Sequence, residues 1–310
     1  MNNYCLIGYG RHLKNKIIPA LKNINANIVG VITSQNIIND DFTKFSSISE
    51  AIFSIPKDTI FIISSPPEVH FKQAKFIMNN NFNIFIEKPI TIRKNGILKL
   101  IEISKKNKVF MVENFMYFYS KKFQEFNNEW CNKESQIKKV YINFIIPDLP
   151  TKTFRSNIQK YPINLYDMGC YPLSLLNKIK SYDNKINIMK ITNKLKINKE
   201  IIYLQSNLNI DYKIKFGVGL EYQNNVKIFY NNGDTSLYEP FFYGRKNNVK
   251  ITRNQSSINS EVIFNEDDSF EILFSKSKEY WIKSQPQRNK DMIRTLSMLE
   301  NLSKQYNDYK

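Results

Sequence analysis

The chain has 310 residues, 42% of them apolar, and a formal net charge of +17, enough length for two domains that each bury a core. No uninterrupted apolar run nears about 18 residues and no charged N-terminal segment precedes a long apolar one, which argues for a cytoplasmic protein with no membrane partner, while the widely separated Cys5, Cys131 and Cys170 with only His12 and His70 argue against a disulfide framework and a metal site. The lysines are scattered with Asn and Ile along the whole chain, as an AT-rich coding sequence leaves them, so the charge excludes a nucleic-acid stripe but suits a phosphate-bearing small substrate.

Residues 3 to 8 form a short apolar run closed by glycine, and Ile17, Ile18, Ala20, Leu21 and Ile24 follow at helical spacing. This predicts a strand, a tight turn and a helix. Apolar runs at "ANIVGVIT", "DTIFIIS" and "FNIFIE" alternate with an amphipathic stretch at "SISEAIFSI" and a helix from about Glu68 to Asn80. Strands apolar throughout and separated by helices imply a parallel sheet covered on both faces, so the first 120 residues read as doubly wound α/β. After about residue 135 the rhythm changes to "IKKVYINFII", "KINIMKITNKL", "EIIYLQSNLNI", "KFGVGLEYQ", "NVKIFYNNGDTSLYEPF", "VKITR" and "SEVIFN". Helical spacing returns only around residues 165 to 179 and from about 290 to 306. An α+β domain with a large, mainly antiparallel sheet is expected over 121–310.

Only nine glycines occur in the chain, and two stand one residue apart in "YCLIGYGRHLKNKIIPALK". In an open parallel sheet, the first strand-to-helix turn brings backbone N–H groups and the positive end of a helix to a dinucleotide pyrophosphate. Gly8 would make the tight turn, and a Cβ at Gly10 would collide with the phosphates. Leu13 occupies the place of the fingerprint's third glycine, and a plain Gly turn is the alternative. At the end of the second strand, where a carboxylate normally binds the ribose of NAD, stand Thr33 and Ser34. Nothing there repels a 2′-phosphate, and with Arg11 they favour NADP over NAD.

"IGYGRHLKNKIIPAL", "SSPPEVHFKQA", "IFIEKPIT", "LYDMGCYPLSLL" and "NNGDTSLYEPF" fall in one order along nearly the whole chain. Together they resemble the glucose-fructose oxidoreductase/inositol dehydrogenase (Gfo/Idh/MocA) family, in its Gly-Cys-Tyr subgroup. The resemblance implies a dinucleotide-binding Rossmann domain over 1–120, and a substrate-binding and oligomerisation domain over 121–310. It implies an NAD(P)-dependent oxidoreductase acting on a hydroxyl or ketone of a sugar or nucleotide-linked sugar, assembled as a homodimer or homotetramer. A non-catalytic NAD(P)-binding regulator of the same fold and a dihydrodiol or imine reductase are the alternatives.

The resemblance also implies roles. Lys88, between Glu87 and Pro89, would face the nicotinamide and the substrate hydroxyl, with Pro89 after a cis bond. Tyr171 would move the proton, since a phenol serves as acid or base when a neighbouring cation such as Lys88 lowers its pKa. Asp167, one helical turn before it, would orient substrate or lysine, and a helix N-cap is its plain alternative. A surface lysine and a core aromatic are the corresponding alternatives for Lys88 and Tyr171. Gly8, Tyr9, Gly10, Arg11, His12, Thr33, Ser34, Ser65, Pro66, His70, Glu87 and Lys88 form the implied cofactor site, with His70 a local structural residue or cofactor contact. Asn114 and Arg155 are implied substrate contacts. Phe118 and Tyr119, where the family commonly has Arg and His, and the lack of Gly-Gly before the Asp motif alter the pocket wall.

Overall fold

A computed structural model describes residues 2–35, 42–147, 163–179, 187–194, 199–207, 210–245, 247–266 and 268–308. The chain forms two compact units, Met1–Phe115 with Phe270–Ile293, and Met116–Ser269 with Arg294–Lys310.

The first unit holds a six-stranded parallel sheet of β1 (Asn3–Ile7), β2 (Asn27–Ile32), β3 (Lys44–Phe45), β4 (Ile60–Ile63), β5 (Asn83–Ile86) and β6 (Met111–Glu113). The order is β3-β2-β1-β4-β5-β6. The chain starts at the centre, runs to one edge, then returns to lay β4 beside β1. That reversal opens a crevice at the carboxyl ends of β1 and β4, where open α/β sheets take ligands. Every residue of β4 is buried, as a strand covered on both faces must be. The connecting helices are α1 (Ile18–Asn23), α2 (Ile48–Ser54), α3 (Pro67–Asn79) and α4 (Lys94–Asn107). Pro67 opens α3 at a position where its missing N–H costs nothing, and Pro67, His70, Ala74, Ile77 and Met78 are buried at spacings of three and four.

The second unit begins with α5 (Lys121–Lys133) and β7 (Ile137–Ile146), followed by α6 (Ile163–Asp167) and α7 (Cys170–Lys178). β8 (Asn187–Lys194), β9 (Lys199–Asn207), β10 (Asp211–Val218), β11 (Gln223–Tyr230), β12 (Thr235–Glu239), β13 (Asn247–Gln255) and β14 (Ile258–Glu266) complete its sheet. The eight strands run β14-β13-β12-β11-β7-β10-β9-β8, antiparallel except for the β7–β10 pair. β11 buries Asn224, Val226, Ile228 and Tyr230 and turns Gln223, Asn225, Lys227 and Phe229 outward, so the strand reads with period two. The single strand expected over "KFGVGLEYQ" is instead the end of β10 and the start of β11. Gly217 and Gly219 adopt φ of +146° and +102° there, and the strand pairing stops.

Two last helices, α8 (Ser269–Ser275) and α9 (Lys278–Asp308), close the chain. Residues 270–293 belong to the first unit, where Tyr4 Oη donates to the Phe274 carbonyl at 3.0 Å and the Phe85 ring meets Trp281 at 5.4 Å. The helix expected from about residue 290 starts twelve residues earlier, at Lys278, and contains Pro286. A proline lacks the N–H that its helix needs and reads as a stop. Two residues on, Arg288 donates to the Trp281 carbonyl at 2.7 Å, a side-chain bond along this stretch of the helix.

Candidate active site

Gly8 follows β1 with φ +94°, a conformation open to glycine, and its N–H donates to the Ile32 carbonyl at 3.0 Å. A Cβ there would also lie 3.0 Å from the Ser64 carbonyl oxygen, in the turn after β4. Gly10 differs. Its φ is not positive and an added Cβ would meet no protein atom within 4 Å, so packing does not demand a glycine. The open space beside it is a cradle that a side chain would fill. The chain is helical from residue 11 to residue 23, so its first unpaired amides lie just after this space, the arrangement that holds phosphate. Leu13 is fully buried and opens a π-helical turn over Leu13–Ile17, filling the place where glycine would bring helix and strand closer. Tyr9 is buried with Lys14 Nζ 4.1 Å from its ring centre, and Arg11 is exposed.

At the end of β2, Thr33 is nearly buried and its hydroxyl accepts from the Gln35 N–H at 3.1 Å, while Ser34 is exposed. Residues 33–35 carry no carboxylate.

The carboxyl ends of β5 and β6 carry a cluster of polar contacts. Glu87 Oε1 accepts from Asn114 Nδ2 at 3.1 Å and lies 3.1 Å from His12 Nε2, close enough for charge attraction though off hydrogen-bond alignment. Lys88 is 9% exposed, and the Lys88–Pro89 bond is cis, as the family resemblance implies. The Pro89 carbonyl lies 2.9 Å from His70 Nδ1, and the Ile90 N–H donates to Glu113 Oε1 at 2.9 Å. His70 Nε2 in turn lies 2.8 Å from the Ser65 carbonyl, in the turn beside Gly8, and Ser65 Oγ donates to Gln73. Thus Gly8, Ser65, His70, Glu87, His12 and Asn114 are brought together around the segment that carries Lys88.

Two neighbouring carboxyls there are pushed apart in acidity. Burial drives Glu113 up to about 7, and the N–H of Ile90 and the charge of Lys88 only partly offset it. Burial also acts on Glu87, but the charge and contact of His12, the Asn114 amide and Lys88 outweigh it and hold Glu87 below the usual carboxylate range. Paired groups driven in opposite directions mark sites of proton chemistry. Glu113 escaped sequence reasoning, although its place at a strand end beside Asn114 was a usable signal. Asn114 itself is buried, and since a carboxylate only accepts, its amide nitrogen faces Glu87 and its Oδ1 is left without a partner. A buried unpaired acceptor costs about 1–3 kcal/mol and calls for an incoming donor such as a carboxamide or a sugar hydroxyl. The Gly10 cradle, the helix start and this acceptor fit a dinucleotide.

Tyr171 and Asp167 lie in the second unit, Lys88 in the first. Tyr171 is 7% exposed in the first turn of α7, its ring 4.7 Å from Phe144, 5.7 Å from Phe242 and 6.0 Å from Tyr117. Tyr117 Oη pairs with Ser174 Oγ at 2.9 Å, and Ser174 Oγ donates to the Tyr171 carbonyl at 2.8 Å, which ties the start of α7 to this aromatic wall. Asp167, buried, ends α6. The N-cap position of α7 is Gly169, two residues after Asp167. A Cβ at Gly169 would lie 2.4 Å from the Leu165 carbonyl oxygen. Only glycine lets the two helices meet there. The Phe118 ring lies tilted against Tyr117, their centres 4.2 Å apart. Arg155 lies outside the described residues. Among the described residues no group of three His, Cys, Asp or Glu could hold a metal ion, and no helix is long and apolar enough to cross a membrane.

Residues 2–115 match the family model of the GFO_IDH_MocA oxidoreductases, with an NAD-binding Rossmann fold. No curated protein sequence matches the chain. Among solved structures, KijD10, a 3-ketoreductase from Actinomadura kijaniata solved with NADP and TDP-benzene, is similar at TM-score 0.81 and 12% identity, over 97% of this chain and 96% of its own. A dehydrogenase from Chromobacterium violaceum is similar at TM-score 0.75 and 11% identity, over 97% and 94%. At such identities the likeness is one of fold.

Proposed function

We propose, from the match of residues 2–115 to the Gfo/Idh/MocA oxidoreductases with an NAD-binding Rossmann fold, that the protein is an NAD(P)-dependent reductase of a keto group on a nucleotide-linked sugar. The observation that carries the reading is the grip on residues 87–90, held by His12 and Asn114 at Glu87, by His70 at Pro89 and by Glu113 at Ile90, with Lys88 buried in their midst. When bound, the reduced nicotinamide supplies the hydride that reaches the carbonyl carbon. Tyr171 gives its phenolic proton to the carbonyl oxygen, Lys88 polarises that oxygen and favours the phenolate, and Asp167 orients the pair. Run in reverse, the same groups oxidise a CH–OH. The Asn114 acceptor and the absence of acid at residues 33–35 support cofactor binding that tolerates the 2′-phosphate of NADP. KijD10 was solved with NADP and a TDP compound, which favours the nucleotide-linked substrate over a free sugar or polyol. The reading extends to a cytoplasmic homodimer or homotetramer that binds neither membrane nor nucleic acid.

Turnover is tested by following reduced-cofactor absorbance with a panel of nucleotide-linked 3-keto and 4-keto sugars, free sugars and inositols. Tyr171→Phe and Lys88→Ala are each expected to lower turnover by about 10²-fold with cofactor affinity kept. Turnover with free sugars alone would reject the nucleotide-linked substrate. Cofactor binding with no turnover on any compound would instead indicate the regulator.

A further inference from the structure

His70 lies fully buried in the first turns of α3, and both of its ring nitrogens end on backbone carbonyls, Nδ1 on Pro89 and Nε2 on Ser65. A carbonyl oxygen only accepts. Both contacts are therefore hydrogen bonds only when both nitrogens carry protons, that is, in the imidazolium form. In either neutral tautomer one nitrogen lone pair faces a carbonyl lone pair, and one link is lost. The two carbonyls belong to different loops: Ser65 sits in the turn after β4 that borders Gly8, and Pro89 directly follows Lys88.

We propose that His70 is a positioning residue whose cationic form clamps the Ser65 turn and the Lys88 segment together, and whose loss of one proton releases one of the two. The proposal rests on the reading that the Gly8 turn and Lys88 serve the cofactor and the reacting oxygen. The charged groups that bear on the ring are Glu87, beside the Lys88 segment, and Glu68, two residues earlier on α3, and both favour the cation. Burial opposes them most strongly and, although the two carbonyls also favour the cation, the net direction is below the ordinary histidine value. The clamp thus completes on the acid side of neutrality and opens as pH rises.

The chain has only two histidines, so ring-nitrogen NMR of the full-length protein reads this directly, with His12→Gln identifying the His70 signals. As pH is lowered from about 8 past the ordinary histidine value toward the acid limit of the folded protein, His70 is expected to pass from one protonated ring nitrogen to two. Over the same range the affinity of the wild type for NADH or NADPH, divided by that of His70→Gln, is expected to rise by about 3- to 10-fold, the worth of one hydrogen bond. The division removes the cofactor's own titration, and the glutamine, with no titrating proton, keeps one amide donor in place. A ring that stays neutral to the acid end, or an affinity ratio that does not move with pH, overturns the proposal. Unchanged turnover in Lys88→Ala would instead strike the catalytic reading and leave the NMR titration standing.

Discussion

Glu87 and Glu113 stand at the ends of adjacent parallel strands, yet the fold drives their acidities apart. For Glu113 the folded value of about 7 lies above the unfolded value of about 4.3, so the folded state favours the protonated form. Its stability contribution is whole below about pH 4.3 and is lost as pH rises through about 7. Glu113→Gln keeps an acceptor for the Ile90 N–H but has no charge to desolvate. Denaturation at pH 8 is expected to show the variant more stable than the wild type by up to about 3 kcal/mol, with the gap closing near pH 4. A variant less stable at pH 8 would show that the ionised carboxylate is satisfied in the folded protein. Glu87 has the opposite sign, since its folded value is lowered: its contribution is present above the unfolded value and fades on acidification.

At the scale of the element, α5 is held to the inner face of the second sheet by one carboxylate. Glu129 accepts from Tyr230 at 2.7 Å, Ser236 at 2.6 Å, Tyr238 at 2.5 Å and Arg253 at 3.0 Å, donors from three strands. Burial raises its pKa, but the three hydroxyls and the guanidinium win and lower it to about 2. That contribution is present above about pH 4.3 and disappears as pH falls through about 2. Glu129→Ala leaves a half-buried arginine and three buried hydroxyls without their acceptor, and an unfolding curve at pH 7 is expected to show a loss of about 3–5 kcal/mol. A loss under about 1 kcal/mol would mean that water replaces the carboxylate. In "KKFQEFNNEWCNK" the acid looks like one more solvated residue of an amphipathic helix. Its partners come from strands more than a hundred positions later, which no local pattern reveals.

The whole molecule enters through the outward face of the second sheet. Lys227, Tyr141 and Lys213 lie in one row across β11, β7 and β10, with Phe229 and Lys139 in the next and Lys215 and Tyr203 beyond. Lys139 and Lys213 both sit within 6 Å of the Tyr141 ring centre, at 5.6 and 5.9 Å, and the Tyr141 and Phe229 rings meet at 4.8 Å. The half-buried aromatics on this sheet face favour burial against a partner, whereas the lysine excess of the face, only partly offset by Asp211, repels a second copy of it. The proposed homodimer is therefore expected to tighten as salt rises from about 0.05 to about 0.5 M, because screening weakens repulsion while apolar burial persists. Light scattering or sedimentation against salt measures it. A dimer that dissociates with salt, or a monomer at micromolar concentration in all salts, would rule out self-association through this face.

The two secondary-structure regimes, the parallel sheet and its strand-to-helix glycine were legible in the chain because periodicity and glycine conformation are local properties. So was the cis Lys88–Pro89 segment, through a family motif. What only the tertiary structure decided is what local patterns cannot encode. The return of residues 270–293 to the first unit depends on Phe85 and Tyr4 meeting side chains from the far end of the sequence, across a helix that Pro286 disguises. The different settings of Gly8 and Gly10, one a positive-φ turn beside Ser64 and the other open space, appear only when neighbours are placed. The acidities of Glu87, Glu113 and His70 follow from burial and from partners on other strands and helices. Desolvation and long-range charge act through space, and the order of residues alone does not carry them.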